Sequence, residues 1–238
     1  MLKIVRTIWH LVALLSAKFL LVGLLFLVSL FLLFHLIHDV FADKDTGLDY
    51  MLFALSDRIS SPAMTRTMRI ISFLGSVRYL IIVPALLVLL FSFYRDMRWN
   101  GLRVLIISFT TSMLNQLLKN YFERPRPAFA LVDMSGFSFP SGHTMIGGVF
   151  HGLIIYIIWT TVENKAWRWA LSLFFTLIVV LVGLSRIYLK VHYATDVAAG
   201  YLIGLIWLIT SLYLLRQIEI FYVARYKPGD NNMAGNLS

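Results

Sequence analysis

No cysteine occurs anywhere in the 238 residues. Disulfides, thiolate metal sites and a cysteine nucleophile are thereby excluded, and the redox compartment is left undetermined. Charge is scarce as well: Asp, Glu, Lys and Arg make up 14% of the chain and hydrophobic residues 59%, where a soluble domain holds about 25% and roughly 45–50%. Acids are fewer than bases, 12 against 21, for a formal charge of +9. A basic chain invites a nucleic-acid reading, yet no basic stretch is interleaved with aromatics in an otherwise polar setting. The bases flank apolar runs instead. No nucleic-acid partner is expected, and the composition is that of an integral membrane protein in contact with anionic headgroups.

Apolar runs long enough to cross a bilayer, which takes about 20 residues, recur along the chain. They predict six spans, at residues 19–38, 79–94, 102–121, 145–162, 167–188 and 195–215, with Pro84 as a tolerated kink in the second. A signal peptide is the competing reading of the first, since Val40-Phe41-Ala42 resembles a cleavage site. Its apolar run exceeds the roughly 7–15 residues of a signal core, which favours a retained helix. Between the first two spans, Leu48, Met51, Leu52, Leu55 and Ile59 recur at helical spacing, with Asp49 and Asp57 off that stripe. This predicts an amphipathic helix in the interface, and Ser61-Pro62 starts a second, with Ser as N-cap and Pro at the first helical position. The segment reads equally well as a lid on the protein or as a rim at a lipid entrance. The expected fold is all-α and membrane-integral: one six-span domain over 19–215 with interfacial amphipathic helices between the first and second spans. A basic cytoplasmic lead at 1–18 precedes it and a polar cytoplasmic tail at 216–238 follows.

Three polar clusters interrupt this chain: KNYFERPRP at 119–127, PSGH at 140–143 and SRIYLKVHYATD at 185–196. The first follows span three, the second precedes span four, and the third links spans five and six. Six spans therefore put all three on one side of the membrane, opposite the termini. Lys and Arg number 11 on the terminus side and 10 on the other, or 7 once the three assigned to chemistry below are set aside. That positive-inside bias predicts cytoplasmic termini and a site facing the extracytoplasmic side of a bacterial inner or plasma membrane.

The clusters hold parts suited to binding a phosphate and breaking one of its P–O bonds. His192 and Asp196 are four residues apart and share a face if helical, so the carboxylate can accept one ring N–H and leave the other nitrogen as nucleophile or base. Arg186 can grip phosphate oxygens bidentately. Ser141 and Gly142 stand where span four begins, and a helix start offers unpaired N–H groups to an anion. Gly142 permits close backbone approach, and His143 in the first turn can donate a proton to a leaving oxygen. Lys119 can run its stem along apolar surface to the headgroup layer, and Arg126 is aimed by Pro125 and Pro127. Arg124 reads as a span-flanking anchor. His143, His192, Asp196 and Asp133 are also metal-ligand types, but three neighbouring cations disfavour a dication, so neither metal nor cofactor is expected. A serine hydrolase is disfavoured because GFSFP at 136–140 departs from G-x-S-x-G at its last position. His10, His35, His38 and His151 read as interfacial or packing residues.

Taken together, Lys119 through Arg126-Pro127, Pro140 through His143, and Ser185-Arg186 through His192 and Asp196 resemble the type 2 phosphatidic acid phosphatase family, whose signature is K-x6-RP, PSGH and SR-x5-H-x3-D. The resemblance implies that His192 attacks phosphorus to form a phosphohistidine, oriented by Asp196. It implies that His143 protonates the leaving oxygen and then activates water, and that Lys119, Arg126, Arg186, Ser141 and Gly142 hold the phosphate, with no metal. Soluble acid phosphatases and vanadium haloperoxidases share the signature, but six spans favour a lipid phosphate substrate. Undecaprenyl pyrophosphate, phosphatidylglycerophosphate, phosphatidic acid and lipid A phosphates are all compatible, with a polyprenyl diphosphate or a broad lipid phosphatase activity preferred. A phosphotransferase passing the group to another acceptor would use the same residues; a non-enzymatic lipid-phosphate binder or transporter would not need two histidines and Asp196. Oligomeric state is not legible.

Overall fold

Six helical stretches long and apolar enough to cross a membrane are present among residues 17–44 and 46–226, those described by this computed structural model. Residues 1–16 of the expected lead and 227–238 of the expected tail lie outside them. Helix α1 (Ala17–Phe41) is followed by two short helices, α2 (Gly47–Arg58) and α3 (Pro62–Phe73). Then come α4 (Val77–Phe93), a 3-10 turn (Arg95–Met97), α5 (Arg98–Phe122), α6 (Gly142–Thr161), α7 (Lys165–Tyr188) and α8 (Ala194–Tyr226). No strand occurs among the described residues.

Local chemistry explains the boundaries. The Ser61 side chain accepts from Met64 N at 3.2 Å with Pro62 at the first helical position, as the sequence predicts, and Ser76 caps α4 by accepting from Tyr79 N at 3.3 Å. Each such cap is worth about 1 kcal/mol. Pro84 sits inside α4. One difference lies upstream: α3 and α4 are separated by a three-residue turn at 74–76, and together Pro62–Phe93 forms a single apolar stretch of 32 residues. The second span thus extends back into what reads as interfacial segment.

Helix α2 is present with its stripe turned outward. Leu48, Met51, Leu55 and Ile59 are exposed, while Asp49, Phe53 and Ser56 are buried. The polar side of an interfacial helix would face water, yet Asp49 is 0% exposed. It points inward because its partners are there, as described below.

The core forms around α6, half of whose span is buried, more than in any other. Val149, Leu153 and Ile157 of α6 pack with Phe91 of α4, Val104 and Ile107 of α5, and Leu208 and Leu215 of α8. Near the other end of α6, Met145 joins Phe139, Ala199 and Ile203, and Leu33, Leu36, Ile37 and Phe41 dock α1 on that cluster. Close approach of α6 and α8 depends on Gly200, where a Cβ would fall 2.9 Å from the Ser141 carbonyl oxygen; small residues serve this role between membrane helices.

Helix α8 runs past the predicted end of the sixth span, to Tyr226. Its extension is held by Glu219, which accepts from the Arg103 guanidinium of α5, and Arg103 also donates to Asn100 at 2.8 Å. The C-terminal ends of α5 and α7 and the N-terminal ends of α6 and α8 carry the three polar clusters, which meet at one end of the bundle.

Candidate active site

Helix α5 stops at Phe122 because Glu123 takes a left-handed conformation (φ 47°) and two prolines follow within four residues. The chain then crosses the end of the bundle. Arg126 donates from Nε to Gly136 O at 3.0 Å and from Nη1 to Val191 O at 2.8 Å, so the prolines and these two carbonyls fix its direction. Lys119, one turn before the helix end, donates to Phe137 O at 2.6 Å.

Ser141 occupies the N-cap position of α6, but its hydroxyl caps nothing. Its backbone N–H donates to Asp196 O at 3.1 Å, which pins the start of α6 to the first turn of α8. The Ser141 Oγ is buried without a protein partner, as are Nε and Nη2 of Arg186. Arg186 is only 4% exposed and uses Nη1 on Ser72 of α3. Buried donors left unpaired cost about 1–3 kcal/mol each. Concentrated beside a helix N-terminus, they form an environment that favours an anion.

The third cluster departs from the sequence reading in one respect. His192 and Asp196 do not share a helical face, because α8 begins at Ala194 and His192 lies in the preceding turn. The contact is made across the loop–helix junction instead. Asp196 Oδ2 accepts from the backbone N–H of Tyr193 at 3.0 Å, the reach-back of a capping box. The same oxygen lies 3.5 Å from His192 Nδ1, longer than a formed hydrogen bond; catalytic hydrogen bonds often tighten only with substrate bound. Arg126 Nη1 approaches His192 Nε2 to 3.2 Å. A guanidinium has only donors, so Nε2 must present its lone pair there and the ring proton belongs on Nδ1, facing Asp196.

Electrostatics agree with a neutral ring. Burial pulls the His192 imidazole down to about 4; Asp196 opposes the shift, and Arg186 and Arg126 add to it. At neutral pH the ring is uncharged, with the Nε2 lone pair directed at Arg126.

Lys119, Arg126, Gly142, His143 and His192 line one cavity of about 770 Å³. Ser141, Arg186 and Asp196 are not among its lining residues. Asp133, of ligand type, is exposed. The cavity continues between α4 and α5 along one face of α5 as far as Val104 and Leu105, a run of about 21 Å at 1.5 Å per residue. Most of that length is apolar, interrupted by Ser108, Ser112, Asn115 and Gln116.

Two charged residues of this site escaped the sequence reading. Arg124 is no anchor: it donates to Asp196 Oδ1 at 2.6 Å, to Thr195 Oγ1 at 2.8 Å and to Asp49 Oδ2 at 3.0 Å. Asp49 lies on α2, 147 residues before Asp196 in sequence (196 minus 49), and nothing local to either residue signals the connection.

This combination of bundle end, cation set and paired histidines defines a phosphate-processing membrane protein. Residues 100–219 match the model of the PAP2 superfamily. Phosphatidylglycerophosphatase B of Bacillus subtilis is 34% identical over 185 residues, covering 75% of this chain and 89% of its own length. An undecaprenyl-diphosphatase of Sulfolobus acidocaldarius is 28% identical over 170 residues, 68% of this chain and 76% of that protein. The crystal structure of a transmembrane PAP2-type phosphatidylglycerolphosphate phosphatase from Bacillus subtilis superposes with a TM-score of 0.73 at 28% identity, over 85% of this chain and 98% of that one. The chain belongs to the PAP2 superfamily, as a membrane-spanning member whose relatives are lipid phosphatases.

Proposed function

We propose that this protein hydrolyses a lipid phosphate or polyprenyl diphosphate by a metal-independent route through a phosphohistidine on His192. His192 Nε2 attacks phosphorus as the P–O bond to the lipid breaks, and Asp196 steadies the Nδ1 proton as positive charge grows on the ring. His143 gives a proton to the leaving oxygen, then takes one from the water that attacks the phosphohistidine, releasing inorganic phosphate. Lys119, Arg126, Arg186, the Ser141 hydroxyl and the Gly142 backbone carry the charge on the equatorial oxygens. Arg126 shields the Nε2 lone pair and is placed to transfer its N–H to an arriving phosphate.

The observation that carries the lipid reading is the shape of the cavity. Its polar end holds both histidines and two cations, and its apolar length is lined by α4 and α5, matching a charged head joined to a hydrocarbon chain. The relatives' substrates make phosphatidylglycerophosphate and undecaprenyl pyrophosphate the leading candidates, with phosphatidic acid in the same panel. Cytoplasmic termini and an extracytoplasmic site belong to this proposal, supported by the Lys/Arg bias.

The test is phosphate release by purified protein in detergent with EDTA across these lipids. Release is expected to persist in EDTA and to disappear in His192→Ala and His143→Ala; full activity in His192→Ala would sink the mechanism. A C-terminal tag accessible on intact cells would overturn the orientation.

A further inference from the structure

Asp196 is fully buried, and only Oδ2 faces His192. Its other oxygen accepts from Arg124 Nη1, and Arg124 Nη2 reaches to Asp49. Asp49 is also fully buried and accepts from the Thr195 N–H at 2.9 Å and from the Thr195 hydroxyl. The guanidinium lies 4.1 Å from the centroid of the Tyr193 ring, between His192 and the start of α8. Two buried carboxylates thus share one arginine, and the trio carries a net charge of −1. A guanidinium fork can bridge two carboxylates; a lysine ammonium is a point charge and cannot reproduce that geometry.

The distribution of this charge matters because His192 is otherwise surrounded by cations or neutral groups. Arg126 from the α5–α6 loop and Arg186 from α7 act on it directly, with His143 of α6 and Lys119 of α5 sharing the cavity. Asp196 of α8 is the anion that faces it. Arg124 draws negative charge away from His192 by binding Asp196, and Asp49 draws Arg124 away in turn.

Resting on the phosphohistidine reading above, we propose that Asp49 and Arg124 are positioning residues for this reaction. Together they hold the Asp196 carboxylate with Oδ2 toward His192 and set how much of its charge the imidazole feels. Helix α2 is by this account part of the catalytic apparatus, although it contributes no group that touches the phosphate.

The two residues act on His192 in opposite senses, which a merely structural role would not do. In Asp49→Asn the whole Arg124 charge falls on Asp196, the imidazolium is held less well, and the acid limb of kcat/KM moves to lower pH. In Arg124→Met the Asp196 charge is released toward His192 and the limb moves to higher pH. Each shift is expected to be on the order of one pH unit, the effect of a unit charge several ångströms away at a dielectric between protein and water. kcat should fall about 10- to 100-fold, as when orienting partners of metal-bound histidines are removed. KM for the lipid and inhibition by inorganic phosphate should stay within about twofold, since the phosphate-binding cations are intact.

The experiment is a set of pH–rate profiles for wild type, Asp49→Asn, Asp49→Glu, Arg124→Met and Arg124→Lys on one lipid phosphate, with thermal unfolding of each in detergent. Opposite shifts of the acid limb support the proposal; coincident limbs, or limbs moving the same way, overturn it. If Arg124→Met does not fold, the Asp49 pair decides. Asp49→Glu must recover most of the turnover lost in Asp49→Asn, and a glutamate no better than asparagine overturns the proposal. A wild-type protein that releases no phosphate would overturn the phosphatase reading and this inference with it.

Discussion

Replacing Gly200 by alanine should damage catalysis from outside the cavity. The added methyl would lie 2.2 Å from Thr144 Oγ1, 2.9 Å from Ser141 O and 3.2 Å from Met145 N. Thr144 can rotate at the loss of its 3.0 Å bond to Ser141 O, but the other two atoms are backbone. An ordinary carbon contact is about 3.5 Å or more, so the start of α6 must retreat from α8 by roughly 0.5 Å or more. That movement stretches the Ser141 N–H to Asp196 O bond joining the two helices at the site. Overpacking of this kind costs about 1–3 kcal/mol in stability, and a misplacement approaching 1 Å at reacting groups costs on the order of 10²-fold in rate. Initial rates of phosphate release, read beside thermal unfolding in detergent, measure both. Gly148→Ala is the control, because its methyl meets Tyr201 Cδ1 at an ordinary 3.5 Å. Wild-type turnover in Gly200→Ala, or equal damage in Gly148→Ala, would refute the reasoning.

Two further outcomes follow from the structure. In the proposed mechanism His192 attacks as the neutral ring, and burial lowers its pKa to about 4, so kcat/KM should hold from neutrality down to about pH 5 and fall as pH drops through 4. The unfolded chain takes up that proton first, near the ordinary 6.5, so the His192 contribution to stability is complete above 6.5 and is lost as pH falls toward 4; unfolding temperatures across this window check the sign. At the far end of the bundle, Arg103→Met strands Glu219 in a site where its side chain is 13% exposed. This should destabilise the protein by about 3–5 kcal/mol, and Glu219→Leu added to it should restore much of the loss, as a lowered and then recovered unfolding temperature.

The sequence discloses those parts of the molecule whose cause is local. Six apolar runs, the Ser61-Pro62 start and the Pro84 position all depend on neighbours within one or two helical turns, and the helices follow them. The signature clusters are legible for a related reason: each stands at a helix end, and alternation of spans carries all three to the same end. What is hidden is pairing across the chain. Asp49 looks like the wet side of an interfacial helix and Arg124 like a membrane anchor, because their shared arrangement depends on α2 folding back onto the start of α8. The same holds for Glu219, which reads as tail until Arg103 is seen opposite it. The His192 and Asp196 spacing is informative for a different geometry than the one it implies, since a capping turn brings i and i+4 together as a helix face does.

Helix α8 carries an acid toward each end, the buried Asp196 in its first turn and the partly buried Glu219 toward the other end, each fastened to an arginine outside the helix. Their separation of 23 positions corresponds to about 35 Å of helix, close to the roughly 30 Å hydrocarbon thickness of a bilayer plus a short step into each headgroup layer. A helix fastened at both ends spans that thickness as one piece, so hydrophobic mismatch would load both fastenings together.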